Sequence, residues 1–501
     1  MADEQLMDMN TDLNLAEDMA LRCSRENDTL AAYREKGDIL LDEFLDLQSE
    51  KASHNRSIKP IREPDDFFDE IINISSKRLG EQHLSDIREA LNTKIISTAD
   101  HHGAMFCAQS FQGDILYYHL LRKSGFNKKA FPVLTGGQVE LGSGTYARGI
   151  CVYAKDEKEL MPFFRKLDQN VMAMNARAIN QDMIDKFRKR YLEMSENNNV
   201  VPDSLHKALT EILDKVYENE KVLNAPDYAT QTTIIGEELF SLMHVLDGAF
   251  PVYIEAEEVA RGLLVKELKE DDSILSRILS DKGIIKKLQE ITTKDGLPLA
   301  AQLFGTCDEK GRKVFLKLDE NGVLSGKSMS ETVISFDASR ESLISLLLEK
   351  KIFTGLFTAA VLFAFERGIT WYGGMFQATY LPEWKKCFAK LLKECGYTKE
   401  AENVNSYDCS GYISGPMFAL SNKDDCSYLA GPVEMVMSDA ELQKMTRIIE
   451  STRLNDSHII GLFEMYLDFV PKKDRPPHWY KNLAKEMNKK YTENIINGCI
   501  S

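Results

Sequence analysis

Lys94-Ile95-Ile96-Ser97-Thr98-Ala99-Asp100-His101-His102-Gly103 decides the fold class. Its apolar front half reads as a buried strand, and its polar tail reads as the loop that leaves that strand. A helical segment follows from about Gln109 to Lys123. Ala130-Phe131-Pro132-Val133-Leu134 then runs into Thr135-Gly136-Gly137-Gln138. Strand, helix, strand in this order predicts a parallel βαβ unit. Both strands of such a unit end at one edge of the sheet, where open α/β folds bind ligands. Two histidines and a Gly-Gly turn are expected at one crevice, which points to an enzyme.

The pattern repeats further along. Phe250-Pro251-Val252-Tyr253-Ile254 reads as a buried strand entering Glu255-Ala256-Glu257-Glu258 and a helix near Val259–Leu268. Ile369-Thr370-Trp371-Tyr372 enters Gly373-Gly374-Met375-Phe376-Gln377, with Tyr380 one turn on. Residues 299–328 alternate around Asp308-Glu309-Lys310-Gly311 and Asp319-Glu320-Asn321-Gly322, predicting an antiparallel hairpin or meander. Residues 339–366 read as one helical stretch that stops at Arg367-Gly368. Gly411 to Ala419 reads as a strand, and a basic amphipathic helix follows Pro476-Pro477.

The expected fold is therefore α/β: a mainly parallel, Rossmann-like sheet with a helical N-terminal extension and a helical insertion. The divisions are 1–60, an acidic helical extension, and 61–156, the first part of the body with the His-His and Gly-rich loops. A helical hairpin insertion spans 157–223. The remainder, 224–501, holds the meander and the C-terminal helix. Ser49 to Pro64 reads as a linker, because His54, Asn55, Pro60 and Pro64 interrupt the apolar pattern.

Bulk properties limit the function. A chain of 501 residues exceeds one ordinary core. Its 43% hydrophobic and 28% charged content is that of a soluble globular protein. A net charge of −16 argues against general nucleic-acid binding and against an anionic membrane surface, while leaving room for a local basic pocket. Residues 1–50 alone carry 14 acidic side chains against 4 basic ones. A helix packed on one side and solvated on the other accounts for that run, with a partner-binding arm as the alternative. The most apolar run, Ile352 to Phe365, is too short for a membrane span. The nine cysteines form no Cys-x-x-Cys pair, which suits free thiols in a reducing cytoplasm.

Three segments carry candidate chemistry. At Asp100-His101-His102 an imidazole is expected to act as general acid or base, oriented by the carboxylate. Gly136, Gly137 and Gln138, with Ser143, Thr145 and Arg148, offer amides, hydroxyls and a guanidinium to an anion. Gly373, Gly374, Gln377 and Tyr380 repeat the arrangement. The leading expectation is a group-transfer or ligase-type enzyme for an anionic or nucleotide-like small molecule, with His102, Gln138 and Gln377 around one pocket. The alternative is a metal-dependent hydrolase in which Asp100, His101, His102 and Glu255 hold a divalent ion. A third reading is a non-catalytic scaffold using the acidic helices. A nucleotide or a divalent metal is the cofactor to consider, and a homo-oligomer is compatible with the insertion. Glu255 and Glu257, two apart at a strand end, can face one crevice as an acid–base pair. Cys107 is a candidate nucleophile.

Two short likenesses accompany these motifs. Asp100-His101-His102 resembles the metal-binding tripeptide of the phosphoesterase family named for it. That family's upstream Asp-x-Asp and its Gly-Gly-Gly-His motif do not occur here. Thr135, Gly136, Gln138, Leu141, Gly144 and Tyr146 resemble a loop of the bacillithiol-synthesising cysteine ligase, a Rossmann-like enzyme, with the tyrosine one position displaced.

Overall fold

The computed structural model describes residues 15–27, 29–31, 37–144, 148–153, 158–198, 203–438 and 440–496. Its centre is a four-stranded sheet built from the apolar runs named above: β1 (Ile95–His101), β2 (Ala130–Gly136), β3 (Phe250–Glu255) and β4 (Thr370–Tyr372). The spatial order is β4-β1-β2-β3 and every pairing is parallel. Near-continuous apolar strands are what a sheet covered on both faces requires.

Five helices position the site: α1 (Leu41–Ser57), α2 (Asp65–Leu79), α3 (Ala108–Lys123), α4 (Tyr228–Leu242) and α5 (Ala256–Leu268). Side chains alternate across each strand, so Tyr253 and Phe250 point to opposite faces. Tyr253 donates to Asp114 of α3 at 2.7 Å, and Phe111 of α3 meets Phe240 of α4 at 5.4 Å, so these helices share one face. Phe250 packs on His83, and Trp371 packs on Phe363, which touches Phe67 of α2; these mark the other face.

Several expected boundaries move. The linker is absent: α1 runs through to Ser57, because Asn55 is buried and bonds Thr370 and the Asp408 backbone. The segment from 157 becomes helical only at Gln181. Before it lie a β-hairpin, Gly149–Val152 with Glu159–Pro162, and two single turns. The stretch 339–366 is broken: helix Arg340–Leu348 ends at Lys350, whose φ is 56°, and Ile352–Thr354 joins the meander. That meander is a five-stranded antiparallel sheet whose other strands are 304–307, 313–318, 323–327 and 333–337. Most of 411–419 is irregular, and the strands there are Leu420–Lys423 and Cys426–Leu429. The final helix is Trp479–Lys490. Among the described residues, no helix is long and apolar enough to cross a membrane.

Candidate functional site

The carboxyl ends of β1, β2 and β3 build one buried polar array. Thr135 of β2 stands opposite Glu255 of β3, so both side chains lie on one face of the sheet. His102, in the turn after β1, is fully buried on them. Its Nδ1 lies 2.9 Å from Thr135 Oγ1, and its Nε2 lies 4.0 Å from Glu255 Oε1. Arg78, near the end of α2, reaches Glu255 Oε2 at 2.6 Å and also donates to Thr233 and the Tyr253 carbonyl. Burial, the largest influence, would raise the Glu255 carboxyl, but the Arg78 guanidinium, through charge and hydrogen bond, leads the groups that together hold it at about 2. Burial lowers the His102 imidazole, so His102 is neutral beside an ionised Glu255–Arg78 pair. Gly103 turns the chain away with φ +83°. A Cβ there would come within 2.5 Å of the Tyr228 hydroxyl, so only glycine fits.

The Gly-rich loop holds an internal anion. Glu257, in the first turn of α5, accepts the amides of Gly137 at 2.9 Å and Gln138 at 3.1 Å. The donors expected to bind a ligand are thus occupied by the chain's own carboxylate, which the helix N-terminus also favours. Burial raises the Glu257 carboxyl despite these bonds, and the charge on Glu255 pushes the same way.

A cavity of about 560 Å³ opens beside this array, at the end of β3. Glu255, Glu257 and Glu258 line it together with Lys77, Arg78, Arg261 and Lys350. Lys350 and Arg261 both pair with Glu258, whereas Lys77 makes no ion pair among the described residues. Of the residues singled out in the three sequence segments, none borders this cavity; Glu255 and Glu257 do.

The third segment sits one strand away. Gln377 Oε1 accepts from Thr98 at 3.1 Å, and a Cβ on Gly373 would overlap that side chain. The Gly373 carbonyl accepts the amides of Ile413 and Ser414, and Gly374 bridges Ser414, so the chain itself packs against the end of β4. Tyr380 packs in a tilted arrangement on Trp384, with ring centroids 4.5 Å apart. None of His102, Gln138 and Gln377 lines the cavity at the end of β3. His102 and Gln138 converge on Glu255 and Glu257, while Gln377 turns to Thr98.

The remaining candidates resolve individually. Thr145 and the Asp100 side chain lie outside the described residues. Burial pushes the His101 imidazole down to about 4. The Ser143 amide closes a turn on Glu140, and the Arg148 carbonyl accepts two amides of the 159–164 segment. The Cys107 thiol is buried and pushed up to about 12, which removes it as a nucleophile. Among the described residues no three His, Cys, Asp or Glu side chains are grouped to hold a metal ion; of the expected quartet, His102 and Glu255 stand 4.0 Å apart, and the Asp100 side chain lies outside the described residues. Sequence reading missed Arg78, Arg261 and Lys350. Only the basic end of α2 ahead of Gly80 hinted at Arg78, and that reads equally well as a helix terminus. No protein-family model, no curated protein and no solved structure matches this chain.

Proposed function

We propose that the chain is a cytosolic small-molecule enzyme of group-transfer or ligase type. It would work at the carboxyl edge of a Rossmann-like sheet on an anionic or nucleotide-like substrate. One observation carries the reading: two carboxylates on one cavity, two residues apart, are pushed in opposite directions. Pairs whose environments separate their proton affinities mark acid and base roles. Glu257 is the group that moves the proton, and the Glu255–Arg78 pair is the fixed charge beside it. His102 and Thr135 position Glu255 from behind. Lys77 and Lys350 would receive the anionic part of the substrate, and the cavity volume suits one small molecule. The strand order, with β4 added beside β1 on the side away from β2, is that of a doubly wound half-sheet. The described cysteines are all free thiols, which fits a reducing compartment.

Purified protein incubated with a polar metabolite extract and ATP, followed by mass spectrometry, tests the proposal. Wild type should consume at least one metabolite, and Glu257→Gln, which keeps an acceptor for the loop amides, should slow that turnover by about 10²–10⁴-fold. No consumption by folded wild type, or equal consumption by E257Q, removes the reading.

A further inference from the structure

A second cavity, of about 380 Å³, lies between the loop at 472–476 and the start of helix Trp479–Lys490, well outside the array just described. Its polar lining is Lys158, Lys472, Arg475, Trp479 and Tyr480, and no carboxylate lines it. In a chain of net charge −16 that is a local reversal of sign. Lys158 is nearly buried and neutralised by Glu464. Arg475 spends two donors on the carbonyls of Leu467 and Val470, at 2.9 and 2.8 Å, and makes no ion pair among the described residues, although the Asp468 carboxylate lies within its electrostatic reach. Lys472 is exposed and makes no ion pair among them. Lys472 is therefore uncompensated at the rim, and Arg475 keeps one guanidinium nitrogen that makes no hydrogen bond among the described residues.

The opposite wall is aromatic. Trp479 is half-buried and held by Tyr466 at 5.1 Å and Tyr480 at 5.4 Å. The Tyr480 ring is buried and backs the indole, with its hydroxyl shut off from solvent on the side of Glu464 and Glu434. Two cations without an ion-pair partner and a presented indole around one small-molecule volume are complementary to an anion that carries a flat ring.

We propose that this cavity binds a nucleoside monophosphate, with the phosphate on Lys472 and Arg475 and the base against Trp479. The inference is independent of the acid–base reading of Glu255 and Glu257, because no residue is shared between the two cavities. The ring wall favours a mononucleotide over a bare phosphate, and the limited volume favours it over a polynucleotide.

Intrinsic fluorescence reads the site in the full chain, because Trp371 and Trp384 are buried and Trp479 is the more exposed of the three tryptophans. Titration with AMP should quench it saturably. Lys472→Glu, at an exposed position, should weaken AMP binding by about tenfold or more, with an unchanged thermal melt. Trp479→Leu should weaken binding measured by calorimetry, and adenosine or inorganic phosphate alone should bind more weakly than AMP. Absence of saturable binding at millimolar AMP overturns the proposal, as does AMP affinity unaffected by K472E. Equal affinity for phosphate and AMP refutes the ring contact. Binding of a single-stranded oligonucleotide, lost in K472E, without binding of AMP reassigns the surface to nucleic acid.

Discussion

Glu255 keeps its charge because Arg78 sits 2.6 Å away, and that dependence is measurable. Its carboxyl is held at about 2 in the folded chain, below the ordinary 4.5, so the ionised form belongs to the fold. The stabilisation is complete above about 4.5 and is lost as pH falls towards 2. Glu255→Gln leaves Arg78 buried without its counter-charge and should lower stability at neutral pH. The gap to wild type in urea unfolding should stay level above 4.5 and close between 4.5 and 2. A gap that persists to pH 2 would show that the Arg78 pairing is not what holds the group. His102, Glu255 and Glu257 are legible in the sequence because they terminate strands or begin a helix. Arg78 is not, since only the parallel register of Thr135 with Glu255 and the packing of α2 bring it there. The glycines at 136–137 are legible as a turn, but not as the seat of Glu257, which belongs to a distant strand end.

Helices α2 and α5 are tied by a residue whose sequence context suggests only a helix stop. Arg367 is fully buried and bonds Asp66 of α2 at 2.7 Å and Glu267 of α5 at 2.8 Å, with Glu366 beside it. Burial keeps the Glu366 carboxyl well above its ordinary value, so it sits neutral among these charges. Removing one partner of a buried pair strands the others, so Arg367→Met should cost about 3–5 kcal/mol in denaturant unfolding. The double variant R367M/E267L should recover part of that loss; no recovery would mean that side-chain volume, not charge, explains the defect. At this scale β1, β2 and β3 are read within a residue or two, because continuous apolar runs bounded by turns have one solution in a covered sheet. The stretch 339–366 misleads because its apolar spacing suits a helix throughout. Antiparallel pairing of Ile352–Thr354 with 304–306 overrides that local pattern.

At the scale of the whole molecule, the acidic N-terminal helix α1 packs as its spacing predicts, one side on the body and the other solvated. Charge alone would also allow a partner-binding arm, but α1 buries Leu41, Phe44, Leu45 and Ala52, and Phe44 meets the Tyr412 ring at 5.3 Å. Polar anchors fix its orientation: Tyr372 of β4 donates to the Gln48 carbonyl at 2.6 Å, and Asn55 bonds Thr370. The helix therefore closes the face of the sheet beside α3 and backs the strand nearest Gly373. Burial of its three large apolar side chains is worth on the order of 6 kcal/mol at about 2 kcal/mol each. Domains have a total stability of roughly 5–15 kcal/mol, so little margin remains without α1. A chain of residues 58–501 is expected to lose cooperative thermal unfolding and near-ultraviolet circular dichroism, with hydrogen exchange rising first in β4 and the 411–415 segment. If that shortened chain instead melts cooperatively at the full-length temperature, α1 is an appendage after all. Its contacts with Tyr372 and Thr370 would then be dispensable to the sheet that carries the candidate site.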